Sequence, residues 1–269
     1  MYAQAAQPPE WTAPVKPFRI APHIYYVGSK GLSAYLIGSR AGAILIDGTL
    51  KENAPLIERN IQSVGVPLTS VKWLLSDHAH DDHVGALARI KMDTGANFAA
   101  SAGDRVALER GFPRGDTDYV PNAFPPIQVD RVVRDGDSVS VGDAVVTAHL
   151  TPGHTPGCTS WSTTVSEGGR RLRVLFLCSI TVAGNRLVGN RAYPAIVADY
   201  ENTFAKLSKM KADIVLTSHP EIAHVLQREA RVEAGDRRAF IDPTALPAIV
   251  ARSRRDFEAA LAEARRAAP

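Results

Sequence analysis

The sequence predicts an α/β fold in which two β-sheets pack face to face and helices cover their outer sides. Two stretches rich in short apolar or alternating runs, residues 24–47 and 131–180, are each followed by segments with helical spacing. The chain has 269 residues, 45% of them hydrophobic and 22% charged, which is enough to bury a full core and too apolar for a disordered polymer.

Each element follows from its local pattern. Residues 1–20 carry Pro8, Pro9, Pro14 and Pro17 with little periodicity, so they read as an extended arm packed on one domain formed by residues 21–269. Residues 24–28, 32–38 and 43–47 are β-branched or aromatic runs separated by Gly-containing turns, the pattern of an antiparallel meander. Leu56, Ile57 and Ile61 stand at helical spacing within 54–64, and 71–75 is a buried strand that runs into a histidine-rich loop. Residues 84–92 then read as a helix, 97–100 as a strand and 102–110 as a helix. Residues 111–130 hold four prolines and two glycines, which makes a long surface loop of the kind that borders sites. Residues 131–141, 144–150, 159–165 and 172–180 form the second set of strands. A helix over 200–210, a strand over 213–217 and a closing helix over 247–264 complete the chain.

Composition narrows the function. Lys and Arg total 31 against 28 Asp and Glu, a net charge of +3. The densest basic run, Arg252, Arg254, Arg255, Arg265 and Arg266, is the wet face of the last helix, and it lacks the interleaved aromatics of a nucleic-acid surface. No nucleic-acid partner is expected. No run reaches about 18 apolar residues, so no membrane insertion is expected. Cys158 and Cys178 are the only cysteines, which excludes a disulfide framework or a Cys-rich zinc module and leaves the fold to stand on its core. The start, MYAQAAQPPEW, has neither a basic nor an apolar leader region, as in a cytosolic protein or a chain whose leader has been removed.

The chemistry concentrates in SDHAHDDHVG, where His78, His80, Asp82 and His83 follow a strand within six residues. Imidazole and carboxylate are ligands for zinc and similar borderline metals. In extended backbone His78 and His80 point the same way and reach one ion, and the turn after them aims Asp82 and His83 at a second. His154, between Gly153 and Gly157, and His219, before Pro220, also sit in turns after strands. A lone loop histidine is ordinarily a surface residue, but the cluster makes these two ligand candidates as well. His23, His149 and His224 lack such a context and receive no role.

HxHxDH, then a TPGH turn, then a last His after a strand resembles the metallo-β-lactamase superfamily from about residue 20 to residue 225. The resemblance implies an αββα sandwich with a dinuclear site at one edge of the sheets and two Zn2+ as cofactors. It assigns His78, His80 and His154 to the first zinc and Asp82, His83 and His219 to the second, with Asp82 in the catalytic centre and a metal-bridging hydroxide as nucleophile. Branches such as glyoxalase II and the lactonases carry a further bridging Asp in a segment after a late strand. Here that segment, LFLCSITVAGN at 175–185, contains no acid. One β-lactamase subclass places a Cys ligand near Cys178 but has Arg in place of His83, so a thiolate is not required.

The remaining pattern is similar to subclass B3, with Ser179 and Thr181 as its hydroxyl pair. Supporting stretches are YLIGSRAGAILIDGT and the GN-R-YP run before the late helix. The chain departs from many of these relatives at Cys178, where they have Asp, and near Asn185, where some have Tyr. They also carry a C-terminal disulfide that cysteines so placed cannot reproduce. The resemblance implies zinc-dependent opening of the β-lactam ring of penicillins, cephalosporins and carbapenems. Ser179 and Thr181 would receive the substrate carboxylate, or else are plain loop hydroxyls. Asn185 would donate an amide hydrogen bond to a developing oxyanion. Asp47 supports the ligand loop from beneath or simply forms its turn, and 112–124 is an apolar wall over the substrate or a simple surface loop. The expected partner is a small β-lactam, and the expected form a monomeric, periplasmic mature chain, with secretion as a variant. The competing readings are lactone or thioester hydrolysis and a catalytically idle zinc-binding protein.

Overall fold

Strands that alternate between two apolar environments define the centre of the molecule. A computed structural model describes residues 7–268, so the parts of the arm and leader readings that fall on residues 1–6 lie outside the described residues. The first sheet has seven strands in sequence order: β1 (Phe18–Ala21), β2 (Ile24–Tyr26), β3 (Tyr35–Ser39), β4 (Gly42–Ile46), β5 (Val71–Leu75), β6 (Asn97–Ser101) and β7 (Arg131–Val133). Its first four strands form the antiparallel meander, and β4 to β7 run parallel. The helices α1 (Ala54–Ser63), α2 (Asp81–Val84), α3 (Leu87–Thr94) and α4 (Ala102–Arg110) lie in the connections, as parallel strands require.

The second sheet has five strands: β8 (Ser138–Val141), β9 (Ala144–Leu150), β10 (Thr159–Glu167), β11 (Arg170–Leu177) and β12 (Ile214–Thr217). Here β8 to β11 are antiparallel and β12 is parallel to β11, reached through α5 (Ile196–Leu207). Two further helices, α6 (Val225–Glu233) and α7 (Ala245–Ala267), follow. The result is the αββα sandwich.

Period-two alternation builds the layers. In β4, Ile44 and Ile46 join the cluster between the sheets with Val146, Trp161 and Val174, while Ala43 and Leu45 join Ile57, Ile61, Leu87 and Ile90 of α1 and α3. On the other side Tyr200 and Phe204 of α5 meet Phe257 of α7, with ring centroids 4.9 and 5.6 Å apart. Trp161 is fully buried, and its indole N–H donates to the Ser76 carbonyl at 3.0 Å, just before the histidine loop. Its loss would cost about 3–5 kcal/mol and would remove a support of that loop.

Several local expectations change. Residues 18–20, read as part of the arm, belong to edge strand β1. The expected strand 131–141 is two strands in different sheets, split by a turn in which Asp137 accepts the Arg134 N–H and Gly136 takes φ +84. The late helix starts at Ile196 rather than 200, after a turn in which Asn190 Oδ1 accepts the Tyr193 N–H. The two cysteines, expected to leave the fold to its core alone, form a disulfide between the starts of β10 and of the segment after β11. Neighbouring strands carry them together across 20 residues, a proximity that local pattern does not encode.

Candidate metal centre

The site lies along one edge of the sandwich, where β4, β5, β9, β11 and β12 all end. After β5 the chain is extended through His80 (φ −114°, ψ 154°) and then makes the single turn α2, with His83 and Val84 N–H groups donating to the His80 carbonyl. That switch from extended to helical backbone brings Asp82 and His83 to a second donor group beside the first, facing His219.

Two donor triads result. One ligand atom from each of His78, His80 and His154 lies within 4.8 Å of the others, and the same holds for Asp82, His83 and His219. His154 Nε2 is 3.2 Å from His80 Nδ1; Asp82 Oδ2 is 3.1 Å from His83 Nε2 and 3.2 Å from His219 Nε2. The triads adjoin, with the His78 and His83 rings 4.2 Å apart.

The electrostatics suit a cation. Burial is the main cause that pulls His78 down to about 4 and His80 and His154 to about 3, so all three are neutral with lone pairs available at neutral pH. His154 Nδ1 donates to the Thr181 carbonyl at 2.8 Å, which leaves Nε2 as the lone-pair nitrogen, and buried His78 Nε2 has no hydrogen-bond partner. Around the second triad burial opposes the charge on His83, but Asp82 and Asp77 outweigh it and raise that group to about 10. Burial likewise raises Asp82, and His83 and His219 overcome it to hold the carboxyl well below its usual range. This donor set fits a divalent cation: neutral imidazoles at one triad, and at the other an ionised carboxylate beside two imidazoles.

The supports are polar and buried. Asp47, in left-handed backbone after β4 (φ 62°), accepts the Asp77 N–H at 2.9 Å and so holds the ligand loop from beneath. Asp77 places Oδ1 2.8 Å from His78 Nδ1. Tyr200 OH donates to the same Thr181 carbonyl that fixes His154, at 2.6 Å, and any side chain at Gly153 would run into the Tyr200 ring.

A cavity of about 880 Å³ opens above the triads, lined by His80, Asp82, His83, His154 and His219. Pro8 and Trp11 of the arm form one wall and Thr117–Pro121 another, while Ser179, Thr181 and Arg186 also line it. The Ser179 and Thr181 hydroxyls are 3.0 Å apart. Residues 116–118 are pinned to 184–186 by Asp118 N–H to Gly184 O, Arg186 N–H to Asp116 O and the Arg186–Asp118 ion pair, the first two at 2.9 Å.

Asn185 is placed differently from expectation. Its amide nitrogen donates to the carbonyls of His154 (3.1 Å) and Val182 (2.9 Å), and the side chain is not among those lining the cavity. It braces the His154 turn, and no amide hydrogen is left for an oxyanion. Cys178, in its disulfide with Cys158, offers no thiolate. Trp11 was not legible from sequence. Its ring lies 5.7 Å from that of His219, and its carbonyl accepts Ser29 Oγ at 2.7 Å and Asn53 Nδ2 at 2.8 Å. An aromatic residue in a Pro-rich arm was the only available signal.

An αββα sandwich with histidine and carboxylate triads at one sheet edge defines a metal-binding hydrolase class. The chain belongs to the metallo-β-lactamase superfamily, whose profile matches residues 30–219. It is similar over nearly its whole length to subclass B3 enzymes. BJP-1, a subclass B3 metallo-β-lactamase of Bradyrhizobium japonicum, is 43% identical, with 96% of this chain and 98% of that one covered and a TM-score of 0.92. The FEZ-1 metallo-β-lactamase of Legionella gormanii is 34% identical, with 94% and 98% covered and a TM-score of 0.90. The match to curated relatives is shorter. A hydroxyacylglutathione hydrolase of Methylobacterium nodulans is 34% identical over 102 residues, which are 35% of this chain and 33% of that protein. The chain is an enzyme of the metallo-β-lactamase type. Among the described residues no helix is long and apolar enough to cross a membrane.

Proposed function

We propose that this enzyme opens the β-lactam ring of penicillins, cephalosporins and carbapenems, using two zinc ions held by His78, His80 and His154 and by Asp82, His83 and His219. The observation that carries the reading is the one cavity in which the Ser179–Thr181 hydroxyls face ligands of both donor triads. Zinc held there would supply a Lewis acid able to polarise the lactam carbonyl and to acidify water. His78, His80 and His154 stay neutral, so their lone pairs are not lost to protons. Asp82 contributes the anionic donor. Ser179 and Thr181 donate hydrogen bonds to the carboxylate beside the lactam ring, and Trp11 and Tyr119 flank the substrate and narrow access of water. Among the described residues lining the cavity Arg186 is the only Lys or Arg, so it supplies favourable potential for an anionic substrate although Asp118 partly offsets it.

Thioester hydrolysis is the second reading, favoured by the local likeness to hydroxyacylglutathione hydrolases. Against it, residues 175–185 offer no carboxylate to the triads, and Cys178 stands in a disulfide. That disulfide supports an oxidising compartment, and we place the mature enzyme in the periplasm as a monomer acting on a small molecule. Zinc-loaded protein tested on a carbapenem, a lactone and a glutathione thioester decides between the readings. Turnover of the carbapenem well above that of the other two is expected, and selective turnover of the thioester would reject the β-lactam reading.

A further inference from the structure

Asp104, in the first turn of α4, points inward and is 2% exposed. Its Oδ2 accepts the Ala79 N–H at 3.0 Å and the Thr155 hydroxyl at 2.8 Å, and its Oδ1 accepts the Gly157 N–H at 2.9 Å. Ala79 is the residue between His78 and His80, and Thr155 follows His154. One carboxylate therefore joins the backbone that carries two ligands of the first triad, at the end of β5, to the turn that carries the third, after β9 in the other sheet. The fit is close: Ser101 Oγ donates to the Gly157 carbonyl at 2.6 Å, and a side chain at Gly157 would collide with Asp104 and Ser101. None of these bonds reaches the segment carrying His219.

We propose that Asp104 is the positioning residue of the first triad: it sets the separation of the His78–His80 segment from His154 and so governs cation affinity at that triad and not at the second. The inference rests on reading the triads as metal sites. A clamp made before the metal arrives spares the ordering of two loops on binding, which is the usual effect of an outer partner on a metal site. The carboxylate is needed because backbone N–H groups approach both of its oxygens. An asparagine has one acceptor oxygen, so in either orientation its NH2 faces the N–H of Ala79 or of Gly157, donor against donor. The Thr155 hydroxyl can rotate to adapt; the two backbone groups cannot.

The test is a zinc titration against a chromophoric chelator in two single-site backgrounds, His219→Ala, which leaves the first triad, and His154→Ala, which leaves the second. Asp104→Asn should weaken zinc binding about tenfold or more in the first background and less than about threefold in the second. Thr155→Val, which removes one of the three donors and spares the carboxylate, should cause a smaller loss confined to the first background; it serves if Asp104→Asn fails to fold. Equal losses in both backgrounds, or no loss in the first, would overturn the positioning role while leaving the metal reading intact. Failure of the unmodified protein to bind zinc would overturn both.

Discussion

The two triads adjoin but are built differently. In the first, all three side chains are buried, uncharged and tied to the body of the sandwich, as when His154 donates to the Thr181 carbonyl that also holds Tyr200. The second contains a carboxylate and is more open, with the Asp82 and His219 side chains 13% and 21% exposed. Its His219 leans on Trp11, a residue of the peripheral arm. A site whose ligands are fixed by buried long-range bonds keeps its geometry without its ion, whereas one with a borrowed wall is freer to adjust. We therefore expect the first triad to be the rigid anchor of the pair and the second to exchange its cation more readily.

The largest blow to that contrast is His80→Ala, which takes a ligand from the rigid triad. Carbapenem turnover should fall by more than the roughly 100-fold that losing an outer partner costs, while the far-ultraviolet dichroism of the protein stays unchanged. Loss of secondary structure instead would mean that the triad holds the fold rather than serving it. Next in size is Cys158→Ala/Cys178→Ala. A bond across 20 residues restricts the unfolded chain, so chemical denaturation should show a loss of about 2–4 kcal/mol. An unchanged denaturation midpoint would count against that crosslink.

The hydroxyl pair gives a smaller effect. Ser179→Ala/Thr181→Ala should cost about 1–3 kcal/mol for lost hydrogen bonds to a charged group, felt in KM and with zinc content unaltered. An equal loss on an ester analogue lacking the carboxylate charge would return both residues to the status of loop hydroxyls. Smallest is Trp11→Ala, where loss of a ring contact worth about 0.5–1.5 kcal/mol should weaken zinc binding at the second triad and leave the first as it was. Chelator competition in the two single-site backgrounds measures both, and an equal change in both would erase the distinction drawn between them.

Legibility in the sequence tracked the distance over which each feature is encoded. The ligand segment His78 to His83 could be read because its spacing is local, and strands such as β4 and β5 announce themselves by apolar runs. The break between β7 and β8 is marked locally by the polar Arg134–Asp137 turn with its Asp-Gly pair, but the change of sheet there is set by long-range packing that no local pattern encodes. Asp104 reaches partners 25, 51 and 53 residues away, and Cys158 meets Cys178 only because β10 and β11 pair. Nothing near either residue marks it. Asn185 was assigned from its neighbourhood to the chemistry, whereas the fold gives its amide to two carbonyls that shape the turn.

The most direct measurement is carbapenem hydrolysis by metal-stripped protein as zinc is added back in known equivalents. Two triads that act as one centre predict no turnover without zinc, activity that rises as the ion is restored, and no further gain beyond two equivalents per chain. Full activity in the stripped protein, or none with two ions bound, would contradict the account.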